Sequence, residues 1–119
     1  MPSEVIKFAR PFQIWNYTVS HRQLLLRSTK SQERQTRVDV LFKGVAALGL
    51  PSAFRELEVR PATSVDIDEI GQPHCSRLSD GAVTLYVVRG GEFLGYVAAV
   101  GVFVHEDDAE YNEASFFSE

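Results

Sequence analysis

The sequence predicts a mainly β, single-domain antiparallel sandwich or partly open barrel of six to seven strands, with at most one short helix. Three observations predict it. Phe12 to Ser28 (FQIWNYTVSHRQLLLRS) is dense in aromatic and aliphatic residues around a polar centre, as in two strands joined by a turn. Thr36 to Lys43 alternates Val38, Val40 and Phe42 with Arg37, Asp39, Leu41 and Lys43, the period of a strand. The last third holds two apolar runs, Val83 to Arg89 and Phe93 to His105, around Gly90-Gly91, a glycine pair suited to a tight hairpin.

The elements follow in order. Val5 to Phe8 is a short apolar-polar mix closed by Arg10-Pro11; proline donates nothing to a ladder, so this is an edge, or the strand begins afresh at Phe12. From Phe12 to Val19 both alternate faces carry apolar residues: Phe12, Ile14, Asn16 and Thr18 line one, and Gln13, Trp15, Tyr17 and Val19 the other. Such a strand is covered on both sides or packed at an interface. The turn falls near Ser20-His21-Arg22, and Leu24 to Leu26 feed the return strand. Ser28 to Gln35 is a polar loop. Gly44 breaks the next strand, and Val45 to Leu50 is a kinked continuation or a turn of helix. Phe54 to Arg60 alternates again up to Pro61. Thr63 to Ile70 reads two ways: Val65 and Ile67 alternate with Asp66 and Asp68 as in a strand, while Thr63 and Asp66 have the spacing of a capping box and Gly71 the place of a helix stop, which favours a short helix or turn. Residues 71–80 read as loop. Gly95 and Gly101 in the final apolar run suggest a bulge or a close backbone approach, and the run ends in His105-Glu106-Asp107-Asp108. Phe116-Phe117 in the tail is expected to dock on the body or on a neighbouring subunit.

At 119 residues, 45% hydrophobic and 24% charged, the chain 1–119 can bury a core as one domain without metal or disulfide. Cys75 is the only cysteine, so no intrachain disulfide forms and a cytoplasmic location is expected. The N-terminus lacks the apolar stretch of a signal peptide. The longest uncharged run is too short for a membrane helix, so no membrane partner is expected. The net charge of −4 divides unevenly. Residues 1–60 carry ten Lys/Arg against five acids, and residues 61–119 carry two against eleven. On separate surfaces the halves would form a strong dipole; interleaved in one sheet, the charges would mix.

No motif carries catalysis. Ser20 and His21 are adjacent, which in a strand sends them to opposite faces, and in a turn makes them turn residues. His74-Cys75 lies near Asp66, Asp68 and Glu69, without the paired spacing of a zinc site. Asp66-Ile67-Asp68 opens like a calcium loop with Gly71 in register, but Arg77 stands where a bidentate glutamate is needed. His105 and Asp107 share a strand face and are the best remaining metal candidates. The simpler reading is an acidic cluster that ends an edge strand and discourages pairing with other chains. Arg89-Gly90-Gly91 with Tyr86 suggests a stacking face for single-stranded nucleic acid, against which the acidic second half argues. The sequence names no small-molecule ligand.

The segment Val38-Asp39-Val40-Leu41-Phe42-Lys43-Gly44-Val45, closing at Leu50-Pro51, resembles segments of small bacterial β-rich proteins, some of them similar to immunity or interaction partners. Together with Phe12–Ser28 and Gly95–Tyr111 the likeness covers about half of the chain. It implies a binding role and brings no catalytic residue.

The expectation is therefore a cytoplasmic β domain that binds a protein partner or forms a homo-oligomer, without intrinsic catalysis, cofactor or metal. The candidate binding residues are Trp15, Tyr17, His21, Arg22, His105 and Asp107. The alternative is a β-barrel that binds a small ligand or metal, as an enzyme or otherwise. It would use His21 and His105 with nearby acids, which must then converge.

Overall fold

A computed structural model describes residues 5–66, 83–91 and 93–110. Ten strands form two five-stranded antiparallel sheets. They are β1 (Ile6–Phe8), β2 (Phe12–Thr18), β3 (Gln23–Ser28), β4 (Arg37–Lys43), β5 (Ala47–Gly49), β6 (Ala53–Phe54), β7 (Leu57–Pro61), β8 (Thr84–Gly90), β9 (Phe93–Ala99) and β10 (Gly101–Asp107). One sheet has the order β1-β7-β8-β9-β5 and the other β10-β4-β3-β2-β6. Phe12, Leu24, Leu26, Val38, Val40 and Phe42 of the second sheet meet Leu57, Val59, Val88, Val97 and Ala99 of the first in one buried cluster. This is a sandwich: each sheet buries one apolar face against the other.

Ten strands replace the expected six or seven because several apolar runs change sheet partway. Phe93 to His105 is not one strand. It breaks at Val100, and β9 lies in one sheet and β10 in the other. The run from Phe54 to Arg60 divides in the same way, with β6 beside β2 and β7 beside β1 and β8. After Gly44, which adopts φ +66°, the chain likewise leaves the second sheet, and β5 joins β9 in the first. The two main crossings share one corner. The Val100 N–H donates to the Lys43 carbonyl at 2.9 Å and the Ala46 N–H to the Ala98 carbonyl at 2.7 Å.

The alternation expected for Phe12 to Val19 also shifts. The β2–β3 register slips between Ile14 and Asn16, a bulge that places one extra residue, Trp15, on the strand. Ile14 lies opposite Leu26, and beyond the bulge it is Tyr17 that lies opposite Leu24. Asn16, expected beside Phe12 and Ile14, instead lies opposite Leu25, on the outer face.

Other expectations hold locally. The β2–β3 turn includes Ser20 to Arg22, with Arg22 at φ 53°, and Gly91 turns the β8–β9 hairpin at φ 77°. Ser64 to Asp66 are helical, and the capping box is formed: the Thr63 N–H donates to Asp66 Oδ2 at 2.8 Å and the Asp66 N–H to Thr63 Oγ1 at 3.3 Å. Gly95 is a close approach, since a side chain there would meet the Gly49 carbonyl oxygen and the Phe93 ring. Residues 71–80 with His74 and Cys75, expected as loop, and the tail with Phe116-Phe117 lie outside the described residues. The two halves of the sequence interleave: β8 and β9 sit between β7 and β5, and β10 sits beside β4.

Candidate functional site

Strand register assembles a charged row on the outer face of the second sheet. His105 of β10 lies opposite Asp39 of β4, which lies opposite Arg27 of β3. Asp107 lies opposite Arg37. Their partners along each strand, Val38, Val40 and Leu26, face the core, so period-two alternation turns the charged residues outward together. Arg27 donates to Asp39 from Nε at 2.8 Å and from Nη2 at 3.1 Å, a two-pronged bond that fits a planar guanidinium to a carboxylate. Arg37 Nη2 is 4.0 Å from the same carboxylate, and its Nε is 3.4 Å from Asp107 Oδ1. His105 Nε2 stands 3.4 Å from Asp107 Oδ2. Trp15, displaced by the bulge, lays its ring 4.8 Å from the Arg27 guanidinium carbon, within cation–π range.

Three of the six expected binding residues thus meet in one row: Trp15, His105 and Asp107. The residues that join them, Arg27, Arg37 and Asp39, were not among the expected six. All three are about 1% exposed, although they face away from the core. Buried charges of this kind must be paired, because the desolvation cost otherwise exceeds any gain. The row is therefore a built-in brace across β2, β3, β4 and β10.

The other three lie elsewhere. Tyr17 is 39% exposed, beyond the bulge on β2. His21 and Arg22 are exposed in the β2–β3 turn, where Ser20 Oγ is 3.1 Å from His21 Nδ1. His105 is level with Arg27, four residues along β3 from Gln23, so the turn and His105 are separated by about 13 Å of strand. The convergence required by the ligand- or metal-binding alternative is not met. Among the described residues, no group of three His, Cys, Asp or Glu side chains could hold a metal ion.

A second polar cluster closes the end of the sandwich nearest the β3–β4 loop. Arg10 donates from Nε to Ser28 Oγ at 2.8 Å and from Nη2 to the Thr36 carbonyl at 2.6 Å. Its burial, and then the nearby charge of Arg34, lower its pKa from the usual arginine value, with Glu106 opposing. Lys30 reaches the Asp108 carbonyl at 2.7 Å and the Glu110 carboxylate at 3.0 Å. The acids after β10 are thus met by basic residues of the first half, and here the charges mix.

The remaining distinctive surface is β10 itself. It is the edge of its sheet, hydrogen-bonded to β4 on one side only among the described residues. Among the described residues the other three edges are short: β6 has two residues, β1 three and β5 three, against seven in β10. Val100, Phe103 and Val104 on and beside it are 60%, 46% and 40% exposed. Val104 pairs with the fully buried Val40 and points the same way, yet stays 40% exposed. Of the surface hollows, one of about 360 Å³ beside β1 and β7 is lined by Phe8 and Leu57 together with Lys7, Glu56, Glu58 and Arg89, two charges of each sign. Among the described residues, no helix is long and apolar enough to cross a membrane. No family model, curated protein or solved structure matches the chain.

Proposed function

We propose that this chain is a protein-binding or self-associating module without catalysis of its own, acting in the cytoplasm. One observation carries the reading: among the described residues β10 is a seven-residue edge strand with exposed Phe103 and Val104, and the other sheet edges have two or three residues. Natural sheets blunt their edges because a row of open N–H and C=O groups templates another strand. A long apolar edge beside three blunted ones fits a surface kept for strand addition by a partner. The charged row supports this role by holding β10 to β4 through Arg37, Asp107 and His105, so that the edge is presented as a rigid strand.

The test is native mass spectrometry of the chain purified gently from its own cells, beside a Val104→Lys variant. A homo-oligomer or a defined protein complex in the wild type, lost in the variant, is expected. A bare monomer from both refutes the proposal, and a bound metal or small molecule would restore the ligand-binding alternative.

A further inference from the structure

We infer that β10 pairs antiparallel with β10 of a second copy of this chain, with Val104 at the twofold axis. This deepens the reading of β10 as the interaction surface and rests on it. Three features of the strand select the occupant and the register.

The first is charge. The acids of this segment stand only at its C-terminal end, Glu106, Asp107 and Asp108, while residues 100–104 carry none. Lys43 lies opposite Gly101 at the other end. Parallel pairing of two β10 strands would set acids beside acids, which opposes it. Antiparallel pairing sets the acidic end of one copy beside Lys43 of the other. Gly101 has no side chain to stand between them, and Lys43 is exposed.

The second is register. A twofold axis perpendicular to a continuous sheet keeps each face on its own side, so a residue can meet only one of its own parity. Full overlap of Gly101–Asp107 with itself then centres on Val104. Val104 meets the second copy's Val104, Phe103 meets the second copy's His105, and Gly101 meets the second copy's Asp107. Pairs of β-branched residues, and of an aromatic with a ring, are favourable cross-strand neighbours.

The third is closure. β6, at the other edge of the same sheet, has two residues. An isologous β10 pair uses the one long edge of each copy and ends growth at two chains, where a head-to-tail pairing would continue into a filament. The product is one continuous ten-stranded sheet through both copies.

The experiment is sedimentation velocity on the full chain as wild type, Val104→Lys, Val104→Glu and an equimolar mixture of the two variants. Val104 is already half in water, so both variants are expected to fold, which far-UV circular dichroism checks. The wild type is expected to dimerise. Each variant alone places like charges face to face and raises the dimer dissociation constant at least about tenfold, and the mixture recovers most of that loss. A wild-type dimer that neither variant weakens overturns the β10 placement while leaving self-association standing. A wild-type monomer that instead holds a different protein, lost in Val104→Lys, overturns the second copy and leaves the binding module. A monomer without any partner overturns both.

Discussion

Asp39→Ala removes the carboxylate at the centre of the charged row. Arg27 loses both of its bonds to Asp39, at 2.8 and 3.1 Å, while its side chain stays about 1% exposed. Arg37 loses an ion pair at 4.0 Å but keeps Asp107 and the Glu110 carbonyl. The cost is thus mainly that of one buried guanidinium deprived of its carboxylate, about 3–5 kcal/mol. A chain of this size has a total stability of about 5–15 kcal/mol, so the loss is a large fraction of it. The exposed Glu33–Arg34 pair, 4.0 Å apart with Glu33 87% exposed, supplies the contrast: Glu33→Ala is expected to cost less than about 1 kcal/mol. The third variant, Arg27→Met with Asp39→Leu, removes both charges and refills their volume, and should recover at least half of the Asp39→Ala loss. Urea unfolding followed by far-UV circular dichroism reads all three, and Asp39→Ala should move the midpoint down by about 2 M at an unchanged slope. A midpoint that moves no further than that of Glu33→Ala would refute the reasoning. So would a double variant as unstable as the single, since the penalty would then not come from burying the arginine without its carboxylate.

Two further predictions concern the local structure. Asp66 is held well below the usual carboxylate range, first by the hydrogen bond from Arg60 and then by the Thr63 N–H. Its contribution to stability is therefore full above about pH 4 and is lost as pH falls below that value, so the deficit of Asp66→Asn in urea midpoint should shrink steadily as the solution is acidified; a constant deficit would contradict this. Gly95→Ala pushes a methyl against the Gly49 carbonyl and the Phe93 ring, whereas Gly101→Ala brings one to 3.5 Å from Phe103, an ordinary contact. The first is expected to cost about 1–3 kcal/mol and the second under about 0.5 kcal/mol in thermal melts, and equal losses would count against the packing described at β5 and β9.

The sandwich was legible in the sequence where strands pair locally. β2, β3 and β4 are consecutive in the chain and neighbours in the sheet, and their alternation or turn residues mark them. The capping box of Thr63 and Asp66 was legible for the same reason, since a cap is built within four residues. The break at Val100 was not. Its neighbours are apolar on both sides, and what ends β9 is a hydrogen bond to Lys43, far away in the chain. β5 and β6 are strands because β9 and β2 lie beside them, which no local pattern announces. The charged row was half visible. Trp15, His105 and Asp107 stood out by residue type, but Arg37 and Asp39 read only as the polar side of an alternation and Arg27 did not stand out. Only the register Arg27 opposite Asp39 opposite His105 makes them one unit.

The shared corner at Gly44 and Val100 has a consequence for how the chain reaches this structure. β4 and β5 run against β10 and β9 in a single ribbon that passes from one sheet into the other. The hairpins β2–β3, β3–β4 and β8–β9 close short loops and can form early. The ribbon closes a long one: Arg37 and Asp107, which it brings together, are 70 residues apart in the chain. Loop-closure entropy is lost before those contacts form, which makes such pairings slow. The ribbon is therefore placed to zip late, and until it does neither sheet is complete. Substitutions at Val102 should then speed unfolding more than they slow folding, whereas substitutions at Leu24 or Leu26 should do the reverse.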